Sequence, residues 1–460
     1  RNLAFFEPAG GDAYAKETAQ ALARVMKQEE IETVFKPELR ELCGSVAALI
    51  KELSSSQKPP SRSLFFALLT EVDRLEAFLD DRGARHNRSF FFFRELVACI
   101  RWIGIATFHI LHLIDRFDSY AQECTRQERR EFLAEMRRWA EFHHGALQRL
   151  GKSLCEEGVR LGVWPEGTTQ TSVEIRDIAQ RKILPADLDE SVVQNQDERV
   201  IEVMMKFLET SERLVVWVCQ VRRMEEVTEE TLEQYRSSFN QLQSLYDSYL
   251  RSTEIETQIP DLPKVRGHIS ITLHLLEVGR ALAHFLERHS DLVRETPLGS
   301  RISALVRGQM LRQAVQEFVL LNAVKCAERA KKVCGRVFRA LKADPDEFIL
   351  DTKALTVPSY RREDFHIRPI MPLTQIAAKY KVSSYLFFNR TKYNMKSPIE
   401  MAIAIPDIRE ALQQENAVLM VQGPRKGIEE VVRFLGKKCG AFENELVCGV
   451  LETQSARLDT

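Results

Sequence analysis

The sequence predicts a multidomain chain that is α-helical for most of its length and α+β at its C-terminal end. Three observations carry that reading. Apolar residues recur with the 3.6-residue period of amphipathic helices from residue 13 to about 343. Within that stretch no run of alternating β-branched residues lies between turn signals. Beyond Pro345 short alternating segments appear, interleaved with helical ones. The chain has 460 residues, 44% apolar and 28% charged, a globular rather than a disordered composition and enough for several full-sized cores. Only 20 Gly and 16 Pro are present, which excludes a collagen-like chain and argues against an all-β one.

Taken in order, Leu64, Leu68, Leu75, Phe78 and Leu79 set the helical period in the first part. Residues 90–114, FFFFRELVACIRWIGIATFHILHLI, approach the length of a membrane span. Arg94, Glu95 and Arg101 interrupt them, so a buried bundle helix is expected and no membrane span. Ile201, Met204, Met205 and Leu208, continued by Val215 and Val218, mark a later helix. Prolines and glycines punctuate the series at 54–61, at 164–167, at Pro260 and Pro263, and at Pro297 to Gly299. His112 to Arg116 (HLIDR) aligns with His284 to Arg288 (HFLER), which suggests an internal duplication. The organisation expected is a helical bundle over 1–165, a linker or irregular segment over 166–195, a second bundle over 196–343, an α+β domain over 346–445 and a tail over 446–460.

In the α+β domain a strand is read at 348–357, a helix at 368–380, a strand at 384–388 and a tight turn at Asn389-Arg390. A strand at 391–395 follows, then a short helix after Ser397, a strand at 416–422, a turn through Gly423 to Gly427 and a last helix at 428–439. The order β-α-β-β-α-β-α describes a two-layer sandwich with helices on one face.

Charge and cysteine content narrow the function. Lys and Arg total 65 against 66 Asp and Glu, so no basic surplus favours nucleic acid. Nine cysteines, an odd number without a CxxC pair, read as reduced thiols of a cytoplasmic protein rather than a disulfide framework or zinc site. The opening RNLAFFEPAGGDAYAKE lacks the pattern of a signal peptide, and a start at Arg1 leaves the natural N-terminus open.

One motif carries chemistry. His366 is the only histidine after residue 289 and stands in Asp364-Phe-His-Ile-Arg-Pro369, between a strand and a helix. Pro369 suits the first helical turn, where a missing N–H costs nothing. His366 and Arg368 are then at a helix N-terminus, where unpaired amides and the positive dipole end favour an anion. A guanidinium adds a fork that matches phosphate oxygens, and an ordinary imidazole is partly neutral near neutrality and nucleophilic toward phosphorus. The set describes a reversible phosphohistidine.

These residues resemble HPr, the phosphocarrier family of the phosphoenolpyruvate-dependent sugar phosphotransferase system. The resemblance spans residues 348–442. Its pieces are FHIRP with the apolar helix PIMPLTQIAAKY, the segment Asn394-Met-Lys-Ser-Pro-Ile-Glu-Met401, and the closing helix GIEEVVRFLGKKCG. It implies an open-faced β-sandwich with His366 phosphorylated, Arg368 stabilising the phosphate and Ser397 the regulatory site. The implied partners are a phosphohistidine donor enzyme and a serine kinase. No cofactor is implied, and the module is a phosphohistidine carrier rather than a turnover enzyme. The helical bundles would bind protein partners. The family usually has Gly where this chain has Asp364, and a small residue where it has Ile367. Pro398 follows Ser397, and AIAIPDIREALQQEN replaces a short glycine-containing connection. Those departures favour a second reading, a non-catalytic interaction scaffold with a degenerate HPr-like domain. Ser397 followed by Pro398 also reads as a helix N-cap.

Other constellations are blander. His109, His112 and Asp115 share a helix face, with Glu95 upstream. Glu71, Asp73, Asp80 and Asp81 stand on the preceding helix, and a salt-bridged face is expected rather than a metal. Glu141-Phe-His-His144 invites comparison with histidine phosphotransfer bundles. His268, His274, His284 and His289 are expected at solvated or interhelical positions, and Lys325 to Lys332 (KCAERAKK) on a solvated face. No GxGxxG, P-loop, HExxH or GxSxG motif occurs.

Overall fold

A computed structural model describes residues 25–57, 59–120, 123–165, 196–221, 226–289, 297–380, 382–389 and 391–444. The expected irregular segment at 166–195 and the tail at 446–460 lie outside them. The described chain is mostly helical, with one five-stranded antiparallel sheet near the C-terminus. The long helices are α1 (Lys36–Ser55), α2 (Arg62–Asp81), α3 (Phe91–Arg116), α4 (Arg126–Leu161), α5 (Gln196–Gln220), α6 (Glu229–Tyr249), α7 (Leu262–His289) and α8 (Leu321–Ala340). The chain divides into two compact units, residues 1–101 with 147–176 and residues 102–146 with 177–460.

In the first unit, Leu39, Cys43 and Val46 of α1 are buried, as are Leu64, Leu68 and Leu75 of α2. This is the i, i+3/i+4 stripe that the sequence displays. Ser61 caps α2 by accepting the amide of Leu64. Arg94 is buried on α3 and donates to both oxygens of Asp80 at 2.7 and 2.6 Å and to Glu76 at 3.0 Å. A bidentate fork of this kind lets a guanidinium leave water. Two helical stretches, Phe91–Tyr120 and Leu262–His289, are long and apolar enough to cross a membrane, but 61% and 78% of their apolar windows are buried within the fold.

The second unit joins α5 to α8 with the sheet. Helix α7 packs closely on α6 and α8. The aligned segments at His112 and His284 belong to helices that face each other here, since the His112 ring lies 4.2 Å from that of His274 and His284 stacks on Trp102 at 3.7 Å.

The sheet comprises β1 (Leu350–Val357), β2 (Tyr385–Phe388), β3 (Thr391–Asn394), β4 (Ala417–Pro424) and β5 (Phe442–Asn444), ordered β3-β2-β4-β1-β5. Between them run α9 (Ile367–Ala378), α10 (Pro398–Ala411) and α11 (Arg425–Cys439). Asn389 turns β2 into β3 with φ of 46°, the left-handed conformation that asparagine tolerates. Strand alternation sends Leu355, Val357, Leu419 and Val421 to one face, where they bury against Phe365, Leu373, Ile408, Ile428 and Val431. Three sequence expectations differ in detail. The stretch after Gly423 is not a turn, because α11 starts at Arg425 directly from the strand. The helix after Ser397 is 14 residues long, not short. Strand β5 has only three residues, too few for an alternation to be visible in sequence.

Candidate functional site

Strand β1 ends at Val357, and a 3-10 turn over Ser359–Asp364 carries the chain back across the sheet end. Phe365 then buries its ring almost completely and pins the next residue. That residue, His366, is the N-cap of α9, with extended φ of −141° and ψ of 179°. Its Nδ1 accepts the backbone N–H of Arg368 at 3.3 Å. The ring therefore offers an unprotonated Nδ1 aimed at the start of the helix, with its proton on Nε2. The ring is half-buried and Arg368 is exposed, with no ion pair for its guanidinium among the described residues. Pro369 falls at the third helical position, within the first turn where a missing N–H is harmless.

The like charge of Asp364 is met locally, for Arg361 Nε lies 2.8 Å from its carboxylate. Ile367 is 58% exposed, so its side chain is largely in solvent rather than packed into the core. Met371, one turn on, is also exposed, and so are Ile399 and Ile403 on the neighbouring α10.

Ser397 is the N-cap of α10. Its Oγ accepts the amide of Glu400 at 3.2 Å, while Glu400 Oε2 accepts the amide of Asn394 at 2.7 Å. Pro398 occupies the first helical position. The structural role read from Ser-Pro is present, and His366 and Ser397 thus start two helices that pack on each other.

The remaining histidines resolve differently from their sequence grouping. Asp80 and Asp73, expected opposite His109 and His112, pair instead with Arg94 and Arg101. His109 Nδ1 lies 3.0 Å from His274 Nδ1, and His112 Nε2 lies 2.7 Å from the Tyr120 hydroxyl. Among the described residues no group of three or more His, Cys, Asp or Glu side chains is arranged to hold a metal ion. His143 is completely buried, without a hydrogen-bond partner for either ring nitrogen among the described residues. Burial pulls its pKa down to about 3, the opposite of an exposed phosphotransfer histidine. His268 and His289 are buried, and of the two settings expected His268 takes the interhelical one, its Nδ1 lying 3.1 Å from Cys326 Sγ of α8.

The basic run KCAERAKK contains the clearest feature that sequence reasoning missed. Lys331 is not on a solvated face. It is buried and forms an ion pair with Glu212 of α5, itself fully buried. Glu212 also accepts the hydroxyl of Thr352 on β1 at 2.6 Å, and Thr352 accepts from Gln422 of β4 at 3.3 Å. This chain of polar contacts ties one face of the sheet to α5 and α8. The signal was available. Glu212 falls on the apolar stripe of Leu208 and Val215, and Lys331 on that of Ala327, Cys334 and Phe338, each charge at a core phase of its helix. The expectation of reduced thiols holds for seven described cysteines that form no disulfide, whereas Cys219 is disulfide-bonded.

Comparison with protein-family models, with curated proteins and with solved structures gives no match for this chain.

Proposed function

We propose that residues 346–445 form an HPr-like phosphocarrier or phosphorylation-sensing module in which His366 is reversibly phosphorylated and the helical region mediates output. The observation that carries this reading is the capping bond from Arg368 N–H to His366 Nδ1. The lone pair it engages is the one a nucleophile needs. When Nδ1 attacks phosphorus, the nitrogen–phosphorus bond of a donor phosphohistidine breaks and a new one forms at His366, the Nε2 proton keeping the ring's tautomer fixed. The phosphoryl oxygens replace Nδ1 as acceptors for the helix amides, and the Arg368 guanidinium adds charge-assisted donors. The element order β-α-β-β-α-β-α, here followed by the short β5, supports the same reading, and so does an Arg368 guanidinium with no ion pair among the described residues. A serine kinase at Ser397 would put a phosphate at a second helix start, where the dipole favours it, at the cost of the present cap.

The test is labelling. Incubation with phosphoenolpyruvate and the general phosphotransferase enzyme should give an acid-labile phosphate that is lost in His366→Ala. No label from several donor enzymes rejects the reading. One observation favours the scaffold alternative: Ile367 and Met371 expose apolar surface beside the imidazole, as anchors for a docked protein would. In that case partner binding survives His366→Ala and fails in Ile367→Ser.

A further inference from the structure

The second half of α3 and the middle of α7 are apolar helices that meet through histidines. His109 and His112, one turn apart on α3, face His274 of α7, with ring centroids 5.2 and 4.2 Å away. Tyr120, after the end of α3, closes the group on His112. Further along the same seam Trp102 stacks on His284, whose Nδ1 is 2.7 Å from Glu229. At Gly267 the helix comes so close to the Tyr120 carbonyl that a Cβ would lie 1.8 Å from it, so the two segments have no slack there.

The contact between His109 and His274 runs Nδ1 to Nδ1. Two imidazoles can hydrogen-bond in this way only when one Nδ1 carries a proton and the other does not. A proton on both turns an attraction into a clash of two like-charged donors. We propose that the His109–His274 pair, flanked by His112 and Tyr120, is an acid-sensitive latch that holds residues 102–116 against α7 while one proton is shared and releases them when a second arrives.

The surroundings set the direction. The charged groups that act on His109 are His112 from its own helix, Arg280 from α7 and Arg236 from α6. Glu277 is engaged by both arginines, Glu233 pairs with each of them, and Glu229 is shared by Arg280 and His284, so each of these carboxylates already has a partner. Burial and these neighbours pull the His109 pKa from the ordinary 6.5 to about 3. The folded state then binds fewer protons than the unfolded one below pH 6.5. The contribution of the pair is complete above that pH and is lost as pH falls toward the folded value. For His109 alone the folding equilibrium weakens roughly 30-fold at pH 5 relative to pH 8.

The test uses the full chain. Urea unfolding of the wild type and of His109→Asn/His274→Asn is followed from pH 8 to pH 5, since asparagines can donate and accept without taking up a proton. His143, His268 and His284 also have depressed values and give both proteins a common acid loss. The wild type is expected to lose a further factor of about 30 that the variant keeps. Equal losses overturn the proposal. Hydrogen exchange of the wild type gives a second readout should the variant not fold. Amides of 102–116 and 262–289 are expected to lose protection on acidification before those of 350–444. Uniform loss, or loss in the sheet first, overturns it equally.

Discussion

The histidines of the α3–α7 seam and His366 carry the same side chain in opposite settings, and the difference shows how the fold assigns chemistry. His109 and His274 meet each other, ring to ring, between two packed helices. Their protons are committed to each other, so protonation is a structural event. His366 meets a backbone amide at a helix start, beside an exposed guanidinium. Its Nδ1 is committed only to a long hydrogen bond that an anionic oxygen could take over. Under the two proposals, what would distinguish a latch from a carrier is the identity of the partner, backbone amide or second ring, and not the titrating group.

That contrast between a tightly committed helical interior and an open sheet edge can be broken in stages. The largest effect is expected at Glu212. Glu212→Ala takes the buried carboxylate away from Lys331, leaving it only the more exposed Glu328 at 2.9 Å, and removes the acceptor of the Thr352 hydroxyl; it should cost about 3–5 kcal/mol in urea unfolding. Replacing Glu212 and Lys331 together by leucine and methionine should recover most of the loss, because a well-packed apolar pair replaces two desolvated charges. Gly267→Ala comes next. The clash with the Tyr120 carbonyl should cost about 1–3 kcal/mol and lower the thermal midpoint. Ser397→Ala removes the cap of α10 and should cost about 1 kcal/mol, whether or not a kinase uses the site. The smallest effect sharpens the comparison from the other side. Ile399→Ser and Ile403→Ser alter exposed side chains and should change stability by no more than about 0.5 kcal/mol. If instead they prove strongly destabilising, that surface is not the open one described here.

Much of the site was legible before any coordinates. Phe-His-Ile-Arg-Pro announces a helix start, and His366 does cap α9. Ser397 with Pro398 announces another, and Ser397 does cap α10. Both are local: the capping atoms lie within three residues of the groups they satisfy. The orientation of the imidazole was not legible, since choosing Nδ1 for the amide depends on the ring's rotamer. Nor was the role of Asp364, whose charge is met by Arg361 through the turn between them. The pairing of Asp80 and Asp73 with arginines rather than with His109 and His112 depended on which helix faces turn toward each other, and a single helix period does not say that.

The sequence by itself determined where most of the described helices and four of the five strands run, because 3.6-residue and two-residue periodicities are properties of the local chain, while the three-residue β5 was too short to show one. It also determined where two helices begin, because a cap acts over one turn. Only the tertiary structure decided which histidines meet, that Lys331 pairs with Glu212, and that one face of the sheet is bound to α5 through Glu212 and Thr352. Glu212 and Thr352 are 140 residues apart. Contacts over that separation are fixed by how whole helices and sheets pack, where burial and charge pairing between elements outweigh anything that one segment encodes alone.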